Sequence, residues 1–221
     1  MLTGWFQSVV VAGAALLFYV IDRAYTRRHD RERASGGTAT TWLYMLKSGA
    51  FACLLIAQPV SWPQLGLNIA GPVGLALQLI GIALALGAAA LDAWARHWLG
   101  VFYAQRAELQ AQHRVVREGP YAYVRHPIFS AYLLVSLGLL FVLPSALVLL
   151  ANVYAYRIFL RAAVRDELFL SAELPGYSAY MQQTPRFVPR LLQRRAEETL
   201  IEKASSPQKK NGLRGSPAEP L

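Results

Sequence analysis

The chain has 221 residues, of which 55% are hydrophobic and 16% are charged, and its formal net charge is +9. In soluble domains about a quarter of the residues are usually charged. The charges of this chain are also clustered, so long stretches carry none. We therefore expect a polytopic membrane protein that binds no nucleic acid, with basic loops that face anionic lipid. Cys53 is the single cysteine and the four histidines are scattered, so neither an intramolecular disulfide nor a metal site is expected.

Five apolar runs follow one another along the chain, at residues 5–21, 42–60, 71–91, 128–143 and 146–160. Each is close to the roughly 17–25 residues that cross a bilayer as a helix, the last two being at the short end. The runs predict an all-α bundle of about five transmembrane helices. Only Pro144 and Ser145 lie between the fourth and fifth runs, so these two should form a helical hairpin.

The charges predict an orientation for this bundle. Arginines are concentrated in segments 23–33, 96–125 and 157–195, whereas the loops at 61–70 and 144–145 carry no charged residue. By the positive-inside rule, the N-terminus faces outward and the C-terminus faces the cytoplasm. We expect an integral protein of the inner (cytoplasmic) membrane of a bacterium.

The stretch GPYAYVRHP, residues 119–127, stands where a basic loop meets the fourth apolar run. Gly119 and Pro120 predict a turn, and Pro127 suits the first turn of a helix. His126 would then lie at a helix N-terminus, whose positive end favours an anion. The alternative is interfacial anchoring, because Arg and Tyr commonly lie at the level of the lipid headgroups.

An acidic pair, Asp166 and Glu167, lies on the predicted extension of the fifth helix. The hairpin returns this extension to the face where the fourth helix begins, so the pair can share a cavity with Arg125 and His126. Such a cavity suits a zwitterionic ligand. The alternative is a salt bridge within the helix, to Arg161 or Arg165.

Three motifs in this order resemble the isoprenylcysteine carboxyl methyltransferase family of integral membrane enzymes, which is related to the phospholipid methyltransferases. They are HRVVREGPYAYVRHPIF, the acidic pair, and YSAYMQQTPRFVPR, and the resemblance extends from about Ala95 to Pro189. It implies a cytoplasmic S-adenosylmethionine (SAM) pocket in the C-terminal half, closed by the C-terminal segment. It also implies a division into N-terminal helices (1–93), a catalytic region (94–192) and a polar tail (193–221).

The resemblance also implies roles for individual residues. Arg125, His126 and Glu167 would be catalytic, and Arg161 or Arg165 would contact the methyl acceptor. Relatives usually have two glutamates where this chain has Asp166 and Glu167. The cofactor would be bound by His113, Arg114, Val115, Val116, Tyr121, His126, Pro127, Ile128, Phe129, Asp166 and Glu167.

The expected function is methyl transfer from SAM to a lipophilic acceptor taken from the membrane. An isoprenylcysteine-like carboxylate, an aminophospholipid and a small hydrophobic metabolite all fit. Two alternatives are an NADPH-dependent reductase of the sterol-reductase type and a non-enzymatic assembly or regulatory protein. The sequence indicates no oligomeric state.

Overall fold

The computed structural model describes residues 3–29, 39–67, 69, 71–100 and 115–190, and these contain helices and turns but no β-strand. The predicted all-α fold is therefore confirmed. The helices are α1 (Trp5–His29), α2 (Ala39–Ser61), α3 (Gly71–Leu99), α4 (Pro127–Val142), α5 (Ala146–Glu173) and α6 (Tyr177–Gln183), with 3-10 turns at Pro63–Leu65 and Gly119–Ala122.

The described residues up to Val188 belong to one compact unit. The description that follows concerns this unit. The predicted tail at 193–221 lies outside the described residues. The predicted boundary between residues 93 and 94 falls inside α3, and the division of the chain into regions stays a prediction.

Three of the described helices are long and apolar enough to cross a membrane, within Trp5–Tyr25, Gly71–Leu99 and Ala146–Glu173. Ala52–Ser61 and Pro127–Val142 are shorter apolar helices. The 16 residues of α4 rise about 24 Å at 1.5 Å per residue, less than the roughly 30 Å of a hydrocarbon core. An all-α membrane bundle is thus supported, and the count of five spans stays a prediction.

The predicted α4–α5 hairpin is present, and neutral side chains form hydrogen bonds with the backbone and the serine of its turn. Gln7 and Gln78 direct their amide nitrogens at the carbonyl oxygen of Val142, at 3.0 and 3.4 Å. Ser145 accepts from the backbone N–H of Val148 and donates to the amide oxygen of Gln58. Buried helix ends need such partners because an unpaired backbone group is costly in an apolar environment. This end of the bundle is therefore polar without being charged.

Helices α3 and α4 share the most extensive helix contact and touch backbone to backbone. A Cβ atom on Gly81 would lie 2.5 Å from the carbonyl oxygen of Gly138, and one on Gly138 would lie 2.7 Å from that of Gly81. Small residues permit this approach in membrane bundles. Gly71 and Gly87 lie on the same helix without such a contact, since a Cβ atom at either would meet no atom within 4 Å.

An ionic cluster lies at the opposite end of the same helices. Arg96 on α3 is buried and binds Asp92 one turn earlier, with both N–O distances from its Nε at 3.0 Å. Its Nη1 lies 2.8 Å from Asp22 on α1, and its Nη2 donates to the Tyr132 hydroxyl on α4 at 3.1 Å. One guanidinium therefore ties three helices together.

The glycine contact predicts a position-specific loss of stability. Gly81→Ala should lower the free energy of unfolding by about 1 to 3 kcal/mol, because the added methyl group overlaps the α4 backbone. The measurement is the thermal unfolding midpoint in detergent. Gly87→Ala is the matched control and should leave the midpoint unchanged or slightly raised. Equal effects of the two substitutions would contradict the close contact.

The ionic cluster predicts a larger loss. Arg96→Leu should cost about 3 to 5 kcal/mol, because it leaves the buried Asp92 carboxylate without its cation. The double variant Asp92→Leu/Arg96→Leu should recover part of that loss, which denaturation in detergent would measure. A double variant less stable than Arg96→Leu alone would contradict this account.

Candidate functional site

The GPYAYVRHP segment folds as a tight entry into α4. Gly119 has a φ of +58°, a left-handed conformation that glycine adopts without strain, and a Cβ atom there would overlap the indole ring of Trp98. The 3-10 turn Gly119–Ala122 follows, with Pro120 and Tyr121 buried. The chain therefore presents Arg125 and His126 at a fixed place beside α3, immediately before α4.

Helix α4 begins at Pro127, as the sequence predicted, and His126 occupies the capping position without a side-chain cap. The first N–H groups of a helix have no carbonyl partner within the helix, and proline contributes none. Ser130 in this first turn places its hydroxyl 3.0 Å from the carbonyl oxygen of His126 and 2.8 Å from that of Phe187. The positive end of α4 is thus held against the C-terminal part of the unit.

That C-terminal part is a short segment, residues 184–188, which we call the strap. The backbone N–H of Arg125 donates to the carbonyl oxygen of Pro185 at 2.8 Å, and that of His126 donates to the carbonyl oxygen of Arg186 at 3.1 Å. The Arg125 side chain adds two bonds of 2.6 Å to the carbonyl oxygens of Met181 and Thr184. The strap and the α4 entry are therefore joined through main-chain atoms.

Glu167 on α5 is the centre of the site. Its Oε1 lies 3.0 Å from Nε of Arg125, 3.1 Å from Nε2 of His126 and 3.0 Å from Nε of Arg186. Its Oε2 accepts a 2.6 Å bond from Nη2 of Arg186. Only 3% of the Glu167 side chain is exposed, against 10% for Arg125 and His126 and 32% for Arg186. One buried carboxylate is therefore surrounded by two guanidinium groups and an imidazole.

Arg186 stays fully charged in this arrangement. Its hydrogen bond with the Glu167 carboxylate raises the pKa of the guanidinium above its usual value, and burial opposes this only in part. Charge-assisted, two-point pairing of arginine with a carboxylate is among the stronger hydrogen-bonded contacts in proteins. The strap is therefore held by an ion pair as well as by backbone bonds.

Stacked rings extend from the site along α4 and α5. His126 stacks on Phe129 with centroids 5.4 Å apart and ring planes 8° from parallel. Phe129 stacks on Phe159 at 5.3 Å, and Phe159 stacks on Tyr132 at 5.6 Å. Since Tyr132 also receives the bond from Arg96, the rings link the site to the deeper ionic cluster. They offer a flat, apolar wall beside the charged groups.

Helix α6 contacts the loop that precedes α4. The hydroxyl of Tyr180 donates to the carbonyl oxygen of Tyr121 at 2.6 Å. Burial raises the pKa of Tyr177 to about 12 and also raises that of Tyr180, so both phenols stay neutral. Arg117 donates to the carbonyl oxygen of Gly176 at 2.9 Å. The turn before α6 is thereby tied to the loop that precedes α4.

Several residues singled out from the sequence meet here. Arg125, His126 and Glu167 are in contact, so Glu167 pairs across the hairpin rather than with Arg161 or Arg165. Pro127, Ile128 and Phe129 form the first turn of α4, Tyr121 is buried beside it, and Val115 packs on the α6 tyrosines.

Other predicted residues lie apart from this cluster or outside the described ranges. Asp166 is half-buried beside Glu167 and makes no ion pair within the described residues. Arg161 and Arg165 are exposed on α5. His113 and Arg114 lie outside the described residues, and Val116 is half-buried in the loop. The roles assigned to all these residues stay predictions.

Sequence reasoning missed two features. Arg186 was quoted within a family motif but received no role, although its position between two prolines in TPRFVP would have marked a fixed segment. The Asp92–Arg96 pair was missed because the third apolar run was ended near Leu91. Two opposite charges four residues apart at the end of that run were the available signal.

In the described ranges, no three His, Cys, Asp or Glu side chains lie close enough together to hold a metal ion. The chemical groups of SAM can be compared with the side chains that lie at this site. Carboxylates at 166 and 167 suit an ammonium or ribose hydroxyls, arginines and the α4 N-terminus suit a carboxylate, and the ring wall suits an adenine. The residues present therefore fit this cofactor.

Two bacterial proteins are similar to this chain. The "Cobalt-zinc-cadmium resistance protein CzcN" of Cupriavidus metallidurans is 31% identical over 136 residues, which cover 61% of this chain and 58% of that protein. The "Nickel-cobalt-cadmium resistance protein NccN" of Alcaligenes xylosoxydans xylosoxydans is 25% identical over 142 residues, covering 64% and 58% respectively. The chain thus spans less than two thirds of the length of either relative.

Residues 80–170 match the isoprenylcysteine carboxyl methyltransferase (ICMT) family. The match contains most of α3, all of α4 and most of α5, including Glu167, and it stops before α6 and the strap. It overlaps the region from Ala95 onward in which the sequence motifs were recognised. Over residues 80–170, this chain is similar to the isoprenylcysteine carboxyl methyltransferase family.

Proposed function

We propose that this protein is an integral membrane methyltransferase that moves a methyl group from SAM to a lipophilic acceptor. The observation that carries the proposal is the buried Glu167 carboxylate, held between Arg125 and His126 at the N-terminus of α4. A charged site of this kind beside an apolar ring wall suits a ligand that is zwitterionic at one end and aromatic at the other. The family match supports the same reaction class.

SAM supplies an activated methyl group on a sulfonium, so the protein needs no covalent intermediate. The chain's own groups bind and orient. Glu167 and Asp166 would hold the donors of the cofactor's amino acid or ribose portion, and Arg125 with the first turn of α4 would hold its carboxylate. Positioning of this kind can contribute several kcal/mol to lowering a barrier.

The ring wall and the strap would keep water from the site. Phe129 and Phe159 stack from the cluster toward the bundle interior, and Phe187 of the strap packs against the His126 ring with centroids 6.1 Å apart. In a site without water, fixed dipoles and charges act more strongly than in solution. Both elements therefore serve the orientation of the cofactor and the exclusion of side reactions.

His126 is the candidate for proton transfer. Its Nε2 lies 3.1 Å from Glu167, which would stabilise the imidazolium formed when His126 takes a proton from an amine or thiol acceptor. A carboxylate acceptor is already ionised and needs no base. The dependence on His126 should therefore differ between acceptor classes, and this difference can identify the class.

The acceptor should be lipophilic, because the site lies beside apolar helices suited to a bilayer. An isoprenylcysteine-like carboxylate, an aminophospholipid and a small hydrophobic metabolite remain the candidate classes. We place the site on the cytoplasmic side with the N-terminus outward, since the arginine-rich segments and the site share one end of the bundle. This topology is part of the proposal.

The names of the two relatives favour a cellular role in resistance to heavy metals. Under our proposal, this chain would contribute to such resistance by methylating a membrane component.

SAM binding tests the proposal first. Detergent-purified protein should bind SAM with micromolar affinity by calorimetry, and Glu167→Gln should weaken binding about 10- to 100-fold, because a charged hydrogen-bond partner is worth about 1.5 to 3 kcal/mol. Glu173→Gln, an exposed position on the same helix, is the matched control and should bind normally.

Each alternative function predicts a different result in the same titrations. Folded protein that binds NADPH and not SAM would establish the reductase alternative. Folded protein that binds neither would favour an assembly or regulatory role.

His126→Ala should lower the transfer of labelled methyl groups to an amine acceptor by about 100-fold or more, the usual range for a lost general base. Phosphatidylethanolamine and a prenylated cysteine are suitable probes for the amine and carboxylate classes, assayed in vesicles. His97→Ala on α3 is the control and should keep full activity. Equal losses with both probes would indicate that His126 positions the cofactor and is not the base.

A further inference from the structure

The present partners of the Glu167 carboxylate cover it almost completely, since only 3% of this side chain is exposed. A carboxylate offers about four lone-pair sites, and here three donors approach Oε1 while a 2.6 Å bond from Arg186 occupies Oε2. Any ligand that brings an ammonium or a hydroxyl to Glu167 must therefore displace one of its present partners.

The three partners differ in how firmly they are held. Arg125 makes two further bonds, to the carbonyl oxygens of Met181 and Thr184, and is nearly buried. The His126 ring is fixed by stacking on Phe129. Among the described residues, the Arg186 guanidinium hydrogen-bonds to Glu167 alone, and about a third of this side chain is exposed. Arg186 is therefore the partner that can leave at the lowest cost.

The Arg186 main chain, in contrast, is fixed. Its carbonyl oxygen accepts from the N–H of His126, that of Pro185 accepts from the N–H of Arg125, and that of Phe187 lies 2.8 Å from the Ser130 hydroxyl. Rotation of the side chain can free Glu167 while the strap stays in place. Solvent can take up the released guanidinium, because it is already partly exposed.

We propose that Arg186 is an internal competitor that occupies the position of the cofactor's ammonium or ribose hydroxyls. The inference rests on the proposed function, since the competing ligand is SAM. In the ligand-free protein, Arg186 closes the ion pair with Glu167. SAM binding exchanges this guanidinium for the ligand's own donors, and the strap backbone does not move.

The exchange has a thermodynamic consequence. A ligand that binds only the open arrangement has its affinity reduced by the fraction of protein that is open. If the Arg186–Glu167 ion pair is formed in about nine of ten molecules, removal of the Arg186 side chain should tighten SAM binding about tenfold. A residue that contacts SAM favourably would show the opposite sign, so the direction of the change separates the two roles.

The experiment compares SAM titrations of the wild type, Arg186→Ala and Arg186→Gln by calorimetry, with folding of each variant checked by thermal unfolding. Arg117→Ala is the matched control, because Arg117 ties down the turn before α6 without touching Glu167. We expect tighter binding in both Arg186 variants and unchanged binding in the control. Hydrogen exchange of the Arg125 and His126 amides, which donate to the strap, should stay slow with and without SAM in the wild type.

Three results would overturn the proposal. Weaker or unchanged SAM binding in the folded Arg186 variants, with normal loss in Glu167→Gln, would overturn the competitor role and leave the methyltransferase proposal standing. Faster exchange of the Arg125 and His126 amides on adding SAM would show that the whole strap opens. Absence of SAM binding in every protein would overturn the proposed function and the competitor together.

Discussion

A single buried carboxylate organises the charged end of this molecule. Glu167 lies on a helix suited to a membrane, where an uncompensated charge would cost several kcal/mol. Its compensation comes from the α4 entry and from the strap, two segments far from it in sequence. The need to pair this one group therefore fixes where the α4 N-terminus, α5 and the strap stand relative to one another.

The rest of the bundle keeps these segments in place. The Gly81–Gly138 contact sets how closely α3 and α4 approach, and Arg96 binds partners on α1, α3 and α4. At the other end, neutral amides from Gln7 and Gln78 cover the end of the short helix α4. The ion pairs of Glu167 and Arg96 thus lie toward one end of the bundle, and the opposite end is held by neutral polar groups.

The family match and the site geometry support each other over different parts of the chain. The match ends at residue 170 and includes Glu167 with the Arg-His-Pro entry of α4. The strap lies beyond it, yet it provides the shortest contact to Glu167. The arrangement of that carboxylate therefore depends on a segment about which the matched family region says nothing.

The sequence by itself determined the helical class, the α4–α5 hairpin and the start of α4 at Pro127, because apolar runs, a two-residue link and a proline act locally. It also determined that Arg125, His126 and Glu167 would approach one another, since a hairpin returns its ends to one face. Only the tertiary structure decided that Glu167 bonds Arg186, that Gly81 and not Gly87 meets α4, and that Arg96 joins three helices. Those contacts join residues distant in sequence, and their partners depend on the rotation and packing of whole helices, which local patterns do not specify.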